Sequence, residues 1–345
     1  MKLSKFNSNS LYIMRIVAAQ AVLLGHLFNF FKISPFVDQK YFPHIQSLAV
    51  IVFFVLSGFL TDMSAQNKPE DYTFSKYLKA HATRIYSFFL AALVFIAAVD
   101  SCIIAFGTYP HVTSYTLPIF IKNVLMFPHN FQAFGSGRPL WTLFVEWWLY
   151  ISYGYFFFKC RRDSQRGTLH TMKIILGVII FVIPLGAYMW QGGQFAMTVY
   201  AFALGIVCNR IYGKINRSKM GVPFIITLFA FVASCIYFRN AYHFTTVICM
   251  CLLFLEALVF GGDRQSCIGD RGQKALVFLS GTTYPLYLIH YTVIEFFLFV
   301  PIVQSKIWQF VLSVAVSNAL AVLLYLALKP KKKKSPQSPF KKEIL

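Results

Sequence analysis

Apolar runs of about 20 residues recur along this chain, and that repetition restricts its fold more than any other feature. A helix rises about 1.5 Å per residue, so each run matches the roughly 30 Å hydrocarbon layer of a bilayer. Inside lipid the backbone must satisfy its own hydrogen bonds, which makes the helix the spanning element for runs of this length. The runs predict ten spans: 11–31, 46–62, 84–106, 139–158, 173–190, 194–212, 221–238, 242–260, 280–300 and 307–328. The 345 residues are 57% hydrophobic and only 13% charged, too few charges for the surface of a soluble protein of this size. The expected fold class is an all-α polytopic membrane protein, a bundle of about ten transmembrane helices with both termini cytoplasmic. Residues 1–328 are expected to form the membrane domain and 329–345 a basic, disordered cytoplasmic tail.

The net charge of +20 invites a nucleic-acid reading, but its distribution argues for a membrane. With the N-terminus in the cytoplasm, the outer loops hold six of the 32 Lys and Arg: Lys32, Lys40, Lys122, Arg138, Arg239 and Lys306. Arg15 and Arg84 stand at inner helix ends, and the other 24 fall in inner loops and tails. Such asymmetry is the positive-inside signature. The Lys-rich tail then reads as an anchor against anionic lipid, with no nucleic-acid partner. The seven cysteines have no metal-ligand spacing, and a Cys102–Cys235 disulfide is geometrically open. The first span carries Arg15 and has no small-residue cleavage site, so it reads as a retained helix. The longest expected loops are 63–83 inside and 107–138 outside, with a re-entrant or amphipathic segment possible over 113–127. Neither is long enough for a soluble domain, so the bundle itself must carry the function.

Ionisable side chains inside a bilayer are costly and mark sites. Arg15 and His26 lie eleven residues apart in the first span. At about 100° per residue they return to nearly one face, roughly 16 Å apart along the axis. Glu146 in the fourth span is expected at the depth of His26, where a carboxylate can orient an imidazole that acts as general base. The ninth span adds Tyr284, Tyr287 and His290 at three-residue intervals. Arg84, with His81 and Arg15, makes a cationic mouth on the cytoplasmic side that suits phosphates. Ser57-Gly58 reads as a close-packing pair. Asp100, Glu256 and Glu295 are intramembrane acids without an evident partner, and His44, His111, His129, His170 and His243 read as loop or interface residues. No Walker sequence, Gly-Xaa-Ser-Xaa-Gly elbow or zinc pattern occurs.

These pieces resemble the integral-membrane acyltransferases of family three, bacterial O-acyltransferases of surface polysaccharides and related acceptors. The resemblance runs from about residue 10 to 325. It rests on Arg15 to His26, Phe53-Phe54-Val55-Leu56-Ser57-Gly58-Phe59, Trp141-Thr142-Leu143-Phe144-Val145-Glu146 and Thr283-Tyr284-Pro285-Leu286-Tyr287-Leu288-Ile289-His290. Thr142 and Thr283 replace the usual serines, Ile51 an often acidic residue, His81 the first Arg of the usual Arg-x-x-Arg, and Ser87 a usual proline. The resemblance implies a multi-pass protein of the inner (plasma) membrane that moves an acyl group from acyl-CoA, most simply acetyl-CoA, to a hydroxyl. A glycan or lipid-linked sugar is the implied acceptor. His26, Glu146, Tyr287 and His290 would carry catalysis and Arg15 and Arg84 would hold the donor's phosphates, without a metal. The competing class is a transporter or flippase, whose paths are also lined by Arg, His and Glu. Against it stands the absence of an evident inverted repeat.

Overall fold

The structure is a computed structural model that describes residues 3–32, 41–126, 132–161, 167–190, 192–215, 221–262 and 264–329. His129 and the expected tail from Pro330 onward lie outside the described residues. Among the described residues every regular element is helical. Helix α1 (Lys5–Phe31) is followed by α2 (Ile45–Gln66), α3 (Phe74–Phe106), the short α4 (Leu117–Val124) and α5 (Trp141–Gly154). Then come α6 (Thr168–Gly177), α7 (Ile183–Trp190), α8 (Gly193–Tyr212), α9 (Gly221–Phe238), α10 (Phe244–Phe260), α11 (Asp270–Phe299) and α12 (Lys306–Leu328).

Among the described residues seven helical segments are long and apolar enough to cross a membrane. They correspond to the expected first, second, third, fifth, sixth, seventh and tenth spans, the fifth being the α6–α7 segment Thr168–Ala187. The other three expected spans are helical as well but fall short of that standard. Helix α5 has 14 residues before a π-helical turn (Tyr155–Arg161) continues it, α10 has 17, and the long α11 carries polar Thr and Tyr side chains with His290 and Glu295. Several helices also begin earlier than hydropathy implies, because polar caps extend them beyond the apolar run. The Ser4 hydroxyl accepts from the Asn7 amide (3.1 Å) and opens α1, and Thr73 accepts from the Lys76 amide (3.3 Å) and opens α3. With α2 running on to Gln66 and α3 starting at Phe74, about two thirds of the expected loop 63–83 is helix.

Helix α2 lies centrally, packed on α1 and α8, and α11 packs on α1, α3 and α12. Between α2 and α8 the approach is close enough that only glycine fits at two points. A Cβ on Gly58 would meet the Phe202 carbonyl oxygen at 2.0 Å, and one on Gly205 the Val55 carbonyl oxygen at 2.2 Å. Helices in lipid gain no hydrophobic association energy from one another, so small residues that admit close van der Waals contact hold them together. Gly58 thus has the packing role its sequence context implies. Phe59, Phe89 and Phe144 fill the centre, whereas Val94, Phe229 and Leu323 on α3, α9 and α12 are exposed apolar side chains of a kind suited to lipid. All seven cysteines are free thiols, so the Cys102–Cys235 bond does not form.

Both described chain ends lie at one end of the bundle. Lys5 pairs with Asp270 at 3.3 Å, and Gly281 of α11 abuts Tyr325 of α12. We refer to this as the terminus end and to the other as the loop end. Near the terminus end, buried Asp62 of α2 accepts from Asn209 (2.6 Å), Tyr153 (2.6 Å) and Gln66 (2.5 Å) and pairs with Arg210. At the loop end residues 107–126 and 132–138 fold back over the bundle. Asp100 accepts from the Tyr109 hydroxyl (2.5 Å) and the Ser136 amide (2.9 Å), and the Ser136 and Thr292 hydroxyls are 2.7 Å apart. The segment's short helix α4 buries Ile119 and Asn123 and exposes Leu117 and Ile121, an amphipathic element within the expected 113–127 region.

Candidate functional site

Among the described residues, cavities enter the bundle from both ends. The terminus-end chamber, about 880 Å³, is lined by Arg15, Arg84, Glu146, Tyr150, Tyr284 and Lys329 among others. The loop-end chamber, about 770 Å³, is lined by His26, Gln46, Arg138, Trp141, Gln194 and Tyr291 among others. Val50 and Tyr287 line both, so the two spaces meet at those side chains.

The eleven-residue spacing on α1 does what geometry requires of it. Arg15 faces the terminus-end chamber and His26 the loop-end one, both toward the bundle interior. Arg15 lies close enough to Arg84, Tyr150, Glu146 and Tyr12 to interact electrostatically with each. His26 is packed against α11: its ring centre is 5.3 Å from that of His290 and 5.2 Å from that of Tyr291. Gly25 permits this seat, because a Cβ there would meet Gln46 Oε1 at 2.4 Å.

His290 is 1% exposed. Its Nδ1 lies 2.8 Å from the Tyr287 carbonyl oxygen and 3.2 Å from that of Leu286. A carbonyl only accepts, so Nδ1 carries the proton and Nε2 is the free acceptor. Nε2 is buried and has no hydrogen-bond partner among the described residues. Tyr287, one turn earlier, stands at the junction. Its hydroxyl is 2.7 Å from that of Thr142, and the two lie 3.2 and 3.1 Å from the Pro139 carbonyl oxygen. The Tyr284 hydroxyl donates to the Ile85 carbonyl (3.3 Å) and borders the terminus-end chamber.

The expected pairing of His26 with Glu146 is not formed. Glu146 Oε1 accepts from Ser57 and from Tyr150 (2.5 Å), and the carboxylate lines the terminus-end chamber beside Arg15 and Arg84. The physical reason lies in α5. Tyr150 sits four residues after Glu146 on the same face, and that face meets Ser57 of α2, while His26 looks at α11. The match of depths inferred from span ends did not include this facing. Ser57 accordingly has a polar role besides packing.

Other residues gain partners that sequence alone did not reveal. The imidazole of His111, read as a loop residue, lies 2.9 Å from Glu295, itself 1% exposed. Burial, and after it the nearby Arg138, push the His111 imidazole below its usual value. Burial and the Asp100 carboxylate push the Tyr109 phenol upward, which keeps it a donor to Asp100. Glu256 accepts from Thr227 at 3.1 Å. Arg138, counted from sequence only as an outer-loop charge, lines the loop-end chamber with His26. The one signal for it was its place immediately before Pro139 and Trp141, where the fourth span begins.

The family model of an acyltransferase domain, acyltransferase family 3, matches residues 8–326. The chain belongs to that family. Its membership and the apolar helices together support a membrane acyltransferase. An amino-acid racemase of Enterococcus faecalis is 23% identical over 363 residues, covering 98% of this chain and 49% of that protein. The chain thus spans about half the length of that curated relative. No solved structure matches it.

Proposed function

We propose that this family member is a multi-pass O-acyltransferase of the inner (plasma) membrane. It would move an acyl group, most simply acetyl, from cytoplasmic acyl-CoA to a hydroxyl of a cell-surface glycan or lipid-linked sugar. The observation that carries the reading is the meeting of two unlike chambers at Tyr287. The terminus-end chamber presents Arg15, Arg84 and Lys329, fixed cations suited to the phosphates of a nucleotide. The excess of Lys and Arg at that end supports a cytoplasmic position for it. A long, thin pantetheine arm entering there would bring its thioester to the junction, where His26 waits on the other side.

In the reaction the acceptor oxygen forms a bond to the thioester carbonyl carbon while His26 takes the hydroxyl proton. The carbon–sulfur bond then breaks, and the proton passes to the departing thiolate. Proton transfer by a placed side chain contributes about 10²- to 10⁴-fold. Tyr287 and Thr142, whose hydroxyls share the junction, are placed to stabilise the developing oxyanion, an effect of about 3 kcal/mol for one well-aimed donor. His290, with its proton held on Nδ1 by backbone carbonyls, would keep a neutral acceptor beside His26. Glu146 would act in this scheme on the donor side, as counter-charge to Arg15 and Arg84. Purified His26→Ala protein should bind acyl-CoA and remain folded, yet lose acyl transfer by about 10²-fold or more. Transfer at a near wild-type rate would refute the proposal. Proteoliposomes separate it from the transporter reading: labelled acyl-CoA should label the acceptor, and movement of acceptor without acyl-CoA should not occur.

A further inference from the structure

The loop-end chamber has a charge pattern that the acyl-transfer chemistry does not require. Among the described residues that line it, Arg138 is the single Lys or Arg, and none is Asp or Glu. The rest of the polar lining is neutral, with the amides of Gln46, Gln132 and Gln194 prominent. The Arg138 side chain is exposed and forms no ion pair with any described residue. Arg138 lies close enough to Tyr291 to interact electrostatically with it, and the Tyr291 ring lies edge-on to that of His26 at 5.2 Å. A lone guanidinium thus stands one aromatic ring away from the imidazole we assign as base.

The turn that carries Arg138 is fixed at its backbone. Residues 134–138 form a tight turn, with the Gly137 amide on the Phe134 carbonyl (2.9 Å) and the Arg138 amide on the Ser136 carbonyl (2.8 Å). Asp100 grips the Ser136 amide, and Thr292 grips the Ser136 hydroxyl. Gly135 has φ +52° and would press a Cβ to 2.0 Å from Asp100 Oδ2, so this position requires glycine. Glu295 lies close enough to Arg138 to interact electrostatically, but neither it nor Asp100 forms an ion pair with Arg138 among the described residues. Asp100 and Glu295 are 0% and 1% exposed, sit outside the chamber lining, and bond to Tyr109, Ser136 and His111. An exposed guanidinium on a fixed turn, with no ion pair to a described residue and beside neutral amides, is a fork for a carboxylate or phosphate.

We propose that Arg138 forms an anion site in the loop-end chamber that selects acceptors carrying a carboxylate or phosphate near the hydroxyl to be acylated. The inference rests on the acyltransferase reading and narrows its acceptor to an acidic one. Two sources share this chemistry, the carboxylate of an acidic sugar and the phosphate of a phosphate-linked one.

The test is anion binding by the full-length detergent-solubilised protein, followed by its thermal midpoint. Saturating CoA is present throughout to occupy the cationic chamber at the other end. Glucuronate, pyrophosphate and neutral methyl glucoside are titrated separately. At least one anion should raise the wild-type midpoint and methyl glucoside should not. Glucuronate acting alone assigns the acidic sugar, and pyrophosphate acting alone the phosphate-linked one. Arg138→Gln should weaken the effective anion by about tenfold or more, and Arg138→Lys, which keeps the charge, should retain part of the response. No anion-specific shift in the wild type, or an equal shift in Arg138→Gln, overturns the site. If Arg138→Gln fails to fold, a response in Arg138→Lys equal to wild type also overturns it, since a guanidinium fork would then be unnecessary. His26→Ala should keep the full anion response. An anion response without acyl transfer in the wild type would sink the enzyme reading and leave the site standing, whereas transfer without anion dependence would do the reverse.

Discussion

The two chambers differ in how their polar groups are held. At the terminus end, Arg15 and Arg84 are fixed cations, and Glu146 is tied by Ser57 and Tyr150. At the loop end, His26 and His290 are rings that touch through aromatic contact, and the buried Nε2 of His290 has no hydrogen-bond partner among the described residues. The first arrangement suits binding, because its charges do not depend on proton traffic. The second suits proton transfer, because a neutral imidazole offers a ring nitrogen that can accept a proton. A divided site of this kind separates holding the donor from activating the acceptor. It leaves the junction at Val50 and Tyr287 as the only shared boundary among the described lining residues.

The comparison can be broken most forcefully at that boundary. Val50→Phe adds bulk between the chambers and should lower acyl transfer by about 10²-fold, since displacements near 1 Å at a reacting centre cost that much. Acyl-CoA binding should survive, as measured by equilibrium binding to the purified variant. Loss of binding together with transfer would mean that the chambers are not separate. Next in size is the donor side. Arg15→Gln and Arg84→Gln should each raise the KM for acyl-CoA by about tenfold, the effect of losing one charge-assisted hydrogen bond. Glu146→Gln sharpens the contrast further. It should disturb acyl-CoA KM by less than the arginine variants, because an amide oxygen still accepts from Ser57 and Tyr150. The pH profile of kcat should be unchanged. A carboxylate that truly orients a catalytic imidazole behaves otherwise, costing about 10⁴-fold when made an amide. Smallest is Tyr109→Phe, which removes one of two hydrogen bonds to Asp100 Oδ2. It should cost about 1 kcal/mol of stability in a denaturant titration and loosen the loop-end cover without altering acyl-CoA affinity.

The helical bundle was legible from hydropathy because a bilayer sets the length of each apolar run, and the family from four motifs whose order survives in the fold. Helix starts were less legible. Ser4 and Thr73 extend α1 and α3 through polar residues that hydropathy treats as loop. In the site, Arg15 and His26 were legible because one helix fixes their relation. Tyr287 and His290 share a helix with each other in the same way. Glu146 was misplaced because its partner depends on how α5 faces α2, a relation between separate helices that span boundaries do not encode. The surroundings of Arg138 and His111 were not legible, since both belong to a segment held by Asp100, Glu295 and Thr292 on other helices.

The account's central claim is that the donor enters from the terminus end and meets the base at the Tyr287 junction. A cryo-EM structure with a non-hydrolysable acyl-CoA thioether tests this most directly. The account predicts phosphates against Arg15 and Arg84, with the thioether carbonyl beside Tyr287 and facing His26. Density for the nucleotide in the loop-end chamber, or a thioether that ends on the Glu146 side without reaching Tyr287, would contradict it.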